Sequence, residues 1–310
     1  MSLLVLTQSQ LEALTDRARI LIQEGRQPDY IPLLGQINPK TVAVRVWELG
    51  GLCISAGDKP PTFSLMSVIK PFLLLFLLEH LGHDVVFKQV GVEPSDQPFN
   101  SLEQLKLDRG RPRNPMLNSG AIALSALLPG ANAPEACEVL RHWLNQVAQC
   151  QLGLDQQMLA SVRSTGGRRN REITAMLTQS GYLVDGDLAL DIYNHICCLS
   201  GTITDLALLG LLLATPQSRD AINRVSALGT HRRMVNALML TCGLYEASGQ
   251  YAVRIGLPAK SGVSGALLAV VPGQGTIACY GPALDDHGNS IAGLFLVEEL
   301  AQLLDLSVFN

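Results

Sequence analysis

Charge is scarce in this chain and neither sign dominates. Asp, Glu, Lys and Arg make up 16% of its 310 residues, with 23 basic against 27 acidic side chains and a formal net charge of −4. That balance lacks the basic footprint expected of a nucleic-acid or anionic-membrane partner. Cysteine pairs at metal or redox spacing are missing too. The seven cysteines, Cys53, Cys137, Cys150, Cys197, Cys198, Cys242 and Cys279, are scattered, odd in number and contain no C-x-x-C, the pattern of reduced thiols used as small apolar residues. No apolar run approaches the roughly 20 residues that span a bilayer; the greasiest, Phe72 to Leu78, reads as a buried helix. Met1 to Leu6 has no basic flank and no long apolar core, so no secretory signal is expected and the expected location is cytoplasmic. Repeats and low-complexity tracts are absent as well.

What is present is a long, apolar chain, 47% hydrophobic, able to bury a large core. Apolar residues at helical spacing (Leu11, Leu14, Ala18, Leu21) follow the start signals Thr7 and Ser9 and predict a first helix over 11–23. Alternation over Thr41 to Leu49 and Leu52 to Ala56, joined by Gly50-Gly51, predicts a hairpin. Val263 to Val271 and Thr276 to Tyr280 predict a second β pair around Pro272–Gly275, before a last helix from about Ile291 to Leu306. Between these ends the sequence reads mostly helical, with clear pieces over 67–81, 134–150, 173–180, 188–196 and 206–214. The expected α/β architecture is an antiparallel sheet flanked by terminal helices, formed by residues 1–66 and 245–310, with 67–244 inserted as a helical subdomain and one site between the two parts.

The chemistry-bearing motif is Ser67-Val68-Ile69-Lys70, where the chain leaves the first hairpin for the greasy helix. Residues three apart share a helical face, so hydroxyl and amine can meet. A helix N-terminus favours developing negative charge, and a lysine in apolar surroundings gives up its proton more readily. Pro71 is tolerated in a first turn. The motif is short. A second signal, Lys260-Ser261-Gly262 before a strand, is the tripeptide that S-x-x-K acyl-transfer enzymes place on a sheet edge facing the serine, with a backbone N–H offered to an oxyanion. Other patterns fail. His80-x-x-His83-Asp84 lacks a third metal ligand at matching spacing and reads as a solvated helix end. Gly262-Val263-Ser264-Gly265-Ala266 precedes a strand, where a nucleophile elbow needs a helix. Cys197-Cys198 read as core thiols, and Arg232-Arg233 as a surface pair.

Further words follow in order: Asp29-Tyr30-Ile31-Pro32, Gly91-Val92-Glu93-Pro94-Ser95, Pro98-Phe99-Asn100-Ser101, Asn114-Pro115-Met116-x-Asn118-x-Gly120, Arg169-Asn170-Arg171, Tyr193 with Cys197, Gly243-Leu244-Tyr245, Gly256 to Val263, Pro282-x-Leu284-Asp285 and Gly288-Asn289-Ser290. With these, the chain from about Tyr30 to Gly293 resembles the bacterial- and mitochondrial-type glutaminases. The resemblance implies a serine β-lactamase and penicillin-binding-protein-like fold. It implies hydrolysis of L-glutamine to glutamate and ammonia without metal or organic cofactor, in a homodimer or homotetramer. By position, Ser67 resembles the nucleophile and Lys70 its base, and Tyr245 would shuttle protons. Tyr30, Asn118, Asn170 and Tyr193 resemble substrate-binding residues, and the backbone N–H groups of Ser67 and Val263 would form the oxyanion site, backed by Lys260, Ser261 and Gly262.

Two positions depart from the family. Met66 stands before the nucleophile where a Gln or Glu is usual. Family members carry a glutamate seven residues ahead of the asparagine matched by Asn170, and a gap-free alignment places Arg163 there. A guanidinium repels an ammonium. The resemblance therefore leaves open an amidase or esterase of the same fold with a different acyl donor, or a silent metabolite-binding relative, beside the glutaminase.

Overall fold

Strand pleating sends successive side chains to opposite faces. The computed structural model, which describes residues 3–165, 167–215 and 227–310, sorts the central strands that way. The apolar start Met1–Leu6 lies partly outside these residues. The strands are β1 Ala43–Glu48, β2 Cys53–Gly57, β3 Phe63–Ser64, β4 Gly153–Leu154, β5 Leu199–Gly201, β6 Ala259–Ser261, β7 Ala266–Val271 and β8 Gly275–Tyr280. Five of them form an antiparallel sheet in the order β2-β1-β8-β7-β6, while β3, β5 and β4 make a small second sheet. In β7, Leu267, Ala269 and Val271 enter one apolar cluster with Val44, Val46, Ile277 and Cys279. Ala266, Leu268 and Val270 enter another with Ala43, Ala278 and Tyr280.

Each face has its own cover. The first cluster is closed by the terminal helices Gln8–Leu21 and Ile291–Leu304, which pack on each other and on the sheet. A capping box at Thr7 fixes the start of the first, and Ser290 caps the second. On the other face Ile203–Ala214 lies against β1, β7 and β8. Gly210 permits that approach: a Cβ there would sit 2.0 Å from Thr276 Oγ1. Beneath this layer the helix Lys70–Leu81 is buried from Lys70 to Leu78, as expected for a helix that is apolar all round. The expected α/β architecture, a sheet flanked by terminal helices with helices inserted between its strands, is the one observed. Among the described residues no helix is long and apolar enough to cross a membrane.

The differences from expectation are local. The predicted strand at Val263 begins at Ala266, after a turn, and the three-residue β6 is an extra partner for β7. Ser67 belongs to a 3-10 turn, Met66–Ile69, ahead of the α-helix proper. The helix expected at Ile173 starts at Arg168, because its N-cap is Gly167, left-handed at φ 50° and without a side-chain cap to signal a start. Gln156–Ser164 and Ala227–Cys242 are helices that the expected pieces did not include.

Candidate active site

Met66 sets the direction in which the nucleophile candidate points. Its φ of 47° lies in the left-handed region, while Leu65 before it is right-handed. A non-glycine residue there costs of order 1–3 kcal/mol and persists only when its surroundings hold it. Met66 is buried in the core, which supplies that hold. The kink delivers Ser67 as the second residue of the 3-10 turn, where N–H groups have no intrahelical acceptor and the positive end of the helix lies. Residues three apart eclipse in 3-10 geometry, so Ser67 and Lys70 lie on one side of the turn.

Lys70 is 1% exposed, and its Nζ donates to Met116 O at 2.9 Å and Asn118 Oδ1 at 2.7 Å. Burial drives its pKa down from 10.5 to about 8, with a small opposing pull from Cys197. Asn118 also accepts from Tyr193 Oη at 3.1 Å, and its Nδ2 donates to Asn170 Oδ1 at 2.9 Å. One side chain thus connects the amine to the far wall. Tyr193 is itself held neutral, burial being the first cause that raises its pKa.

The opposite wall is built on β6. Lys260 is 0% exposed; its Nζ donates to Ser261 O at 2.5 Å and lies 4.2 Å from the centroid of the Tyr245 ring. The Tyr245 hydroxyl donates to the same carbonyl at 3.0 Å. Burial, and then the charge of Lys70, push the Lys260 pKa well below that of an ordinary lysine. Burial raises the Tyr245 phenol and keeps it neutral, while a hydrogen bond with the Ser67 side chain pulls the other way. Tyr245 is also left-handed, at φ 59°, so two of the five such non-glycine residues among the described residues belong to this site. Gly262 brings the walls together: a Cβ there would lie 2.7 Å from Leu65 O, 3.1 Å from Val68 Cγ2 and 3.5 Å from Ser67 N.

Ser67 opens on a cavity of about 550 Å³ whose lining also includes Tyr30, Met66, Asn118, Asn170, Tyr193 and Val263. Lys70, Lys260 and Tyr245 stand behind that surface, reaching it through Asn118 and Ser67. Tyr30 is 52% exposed. Arg163 is placed elsewhere. It lines an adjoining cavity of about 210 Å³, and its guanidinium pairs with both carboxylate oxygens of Asp191 at 2.7 and 2.8 Å. The side chain that lines the main cavity from this helix is Val162, one residue earlier.

Val162, Arg168, Arg169 and Asn194 are wall residues that sequence reasoning did not single out for the site. Only Arg169, as the neighbour of Asn170 in a family word, carried any signal. Cys197, read as a core thiol, is buried but forms part of the cavity wall beside Tyr193; burial raises its pKa to about 11, so it is a neutral thiol rather than a nucleophile. The His80–His83 pair is accounted for locally. His80 Nδ1 lies 2.7 Å from Phe76 O with its ring stacked on Phe76, and His83 faces Asp84. No cluster of three metal-ligating side chains occurs among the described residues.

A hydroxyl, a lowered-pKa amine and a neutral phenol around one cavity are the equipment of an acyl-transfer enzyme. Comparison with known proteins points the same way. The family model described as Glutaminase matches residues 25–309. The glutaminase of Synechocystis sp. (strain ATCC 27184 / PCC 6803 / Kazusa) is 44% identical over 302 residues, 96% of this chain and 89% of that protein. Among solved structures, a probable glutaminase, ybaS, superposes with a TM-score of 0.88 at 34% identity, covering 98% of this chain and 100% of that one. Bacillus subtilis glutaminase YbgJ, solved as the covalent complex with 5-oxo-L-norleucine formed by reaction with 6-diazo-5-oxo-L-norleucine, superposes with a TM-score of 0.85 at 32% identity, covering 97% and 99%.

Proposed function

Because the chain belongs to the glutaminase family, we propose that it hydrolyses a side-chain amide of the glutamine type through an acyl-enzyme on Ser67. The carbonyl carbon is attacked by Ser67 Oγ, whose proton passes to the neutral form of Lys70, directly or through the Tyr245 hydroxyl. Negative charge on the carbonyl oxygen is met by the backbone N–H groups of Ser67 and Val263. The C–N bond then breaks as the nitrogen takes the proton and leaves as ammonia. Water attacks the ester, its proton goes to Lys70, the bond to Ser67 Oγ breaks, and the serine recovers its proton as the acid departs. Neither step needs a metal or a redox partner. Tyr30, Asn118, Asn170 and Tyr193 offer the neutral hydroxyls and amides that position a small polar substrate.

The observation that carries this reading is a fully buried lysine with its pKa at about 8, one helical turn from a serine that faces the cavity of about 550 Å³. A buried ammonium with hydrogen bonds but no carboxylate partner is costly, and its place one turn from a hydroxyl supports a role as base. The test is mass spectrometry after incubation with 6-diazo-5-oxo-L-norleucine, the reagent that gave the Bacillus subtilis complex. The expected adduct is 5-oxonorleucine on Ser67 with loss of dinitrogen, absent in Ser67→Ala. An adduct elsewhere, or ammonia release unchanged in Ser67→Ala, refutes the assignment.

A further inference from the structure

The cavity walls carry charge of one sign only. Arg168 and Arg169 line the main cavity, and Arg163 and Arg171 the adjoining one, while no Asp or Glu lines either among the described residues. The carboxylates that pair with these guanidinia, Glu172 and Asp191, lie outside both linings. The backbone adds to the same sign. Gly167, Arg168, Arg169 and Asn170, the cap and first turn of the twelve-residue helix Arg168–Gln179, all line the main cavity, and no side chain caps that turn. The positive end of the helix, with its uncapped N–H groups, therefore lies at the cavity wall.

Such a wall suits a substrate carboxylate. It does not suit an ammonium, which needs a carboxylate or several oxygen acceptors. The acceptors nearest to hand are committed: Asn118 Oδ1 receives Lys70 and Tyr193, and Asn170 Oδ1 receives Asn118. The side chain that lines both cavities beside Tyr30 and Asn170 is the uncharged Val162.

Resting on the amidase reading above, we propose that this cleft selects ω-amides whose α-carbon bears a carboxylate but no ammonium. Val162 sets that preference. Such a substrate is a five-carbon amide acid with hydrogen, oxo or a blocked nitrogen at the α-position. The adjoining cavity, which shares Tyr30, Val162 and Asn194 with the first, leaves space beyond hydrogen for the uncharged substituent. Glutamine still enters, with its ammonium unpaired.

The experiment compares kcat/KM for ammonia release from L-glutamine and from glutaramate, its analogue without the α-amine, using the full chain. A glutamine-to-glutaramate ratio at or below one is expected, and a ratio above one overturns the proposal. Val162→Glu in a protein that still melts cooperatively should raise the ratio at least tenfold, chiefly through KM for glutamine, while Val162→Gln should not. A ratio that stays put in Val162→Glu, or moves equally in Val162→Gln, also overturns it. Ammonia from neither substrate sinks the amidase reading beneath it, and the proposal goes with it. Ammonia from both with glutamine preferred sinks the proposal alone.

Discussion

The two walls of the cleft are built on different principles. The wall that carries Ser67, Lys70, Lys260 and Tyr245 is closed, dry and cross-braced. Its lysines are buried, two of its residues hold left-handed backbones, and Gly262 lets β6 press against the 3-10 turn. The wall formed by residues 162–165 and 167–170 is half-exposed, and its arginines reach outward to Glu172 and Asp191. Charges on the first wall act at low effective dielectric and shift pKa values; those on the second are screened and shape the field that an entering substrate meets. The proposed chemistry therefore resides where the backbone is closely packed, and the proposed selection among substrates where single side chains can change without disturbing the core.

The contrast is broken most severely by Lys70→Met. Removing the proposed base should lower kcat by about four orders of magnitude or more, as for other residues that act as a unit with a nucleophile, read as ammonia release from saturating substrate. The same variant sharpens the comparison through its stability. The folded pKa of about 8 lies below the ordinary 10.5, so the unfolded chain binds this proton more tightly and the charged lysine costs the native state. The penalty is full below about pH 8 and vanishes above the unfolded value. Lys70→Met should accordingly be more stable than the parent by roughly 1–2 kcal/mol at pH 7, after allowance for the lost hydrogen bonds to Met116 and Asn118. That gain should fade as the pH approaches 10.5. A melting temperature that falls at pH 7 would show the amine to be a structural ion.

Gly262→Ala tests the close approach alone. The added methyl meets Leu65 O at 2.7 Å and Val68 Cγ2 at 3.1 Å, a backbone oxygen and a fully buried side chain, so one of them must shift. Overpacking of this kind costs about 1–3 kcal/mol. Because it displaces the backbone that carries the proposed oxyanion donors, kcat should drop by about 10²-fold with KM little changed. A rise in KM alone would move Gly262 out of the chemistry. Smaller again is the effect of pH on the parent enzyme. With the neutral amine as the proposed base, kcat/KM should climb close to tenfold per pH unit below about 8 and level off above it. A limb near 10 would mean that Lys70 titrates as an exposed lysine.

How much of this the sequence disclosed follows the same division. Four of the five strands of the main sheet, the terminal helices and the pairing of Ser67-x-x-Lys70 with Lys260-Ser261-Gly262 were legible, because these strands spell apolar or alternating runs and because rigid chemistry demands fixed residue types at fixed spacing; the three-residue β6 is too short to spell either. The selecting wall was not. Its helix begins at Gly167 with no Ser, Thr, Asp or Asn at the cap, so the expected start fell at Ile173 instead of Arg168. On the helix before it, counting seven residues back from Asn170 lands on Arg163, yet consecutive residues of an α-helix point about 100° apart. An offset of one residue therefore exchanges the side chain facing the cavity, and Val162 takes that place. The 3-10 turn at Ser67 escaped for a related reason, since a spacing of three fits both helix types.

That one-residue offset also yields the gentlest of the tests. If Arg163 faced the substrate, Arg163→Glu would relieve a repulsion and raise glutamine turnover strongly. As placed, its guanidinium is half-exposed and forks onto Asp191, where an exposed pair contributes less than about 1 kcal/mol. Glutamate at 163 would meet Asp191 as a like charge, and the helix Gln156–Ser164 would loosen slightly against Gly186–Cys197. The expected outcome is a loss of about 0.5 kcal/mol in stability and a change of less than threefold in the glutamine-to-glutaramate ratio, against tenfold or more for Val162→Glu. Should Arg163→Glu shift that ratio as far as Val162→Glu does, the selecting surface is the broad field of the arginines rather than one position on the wall.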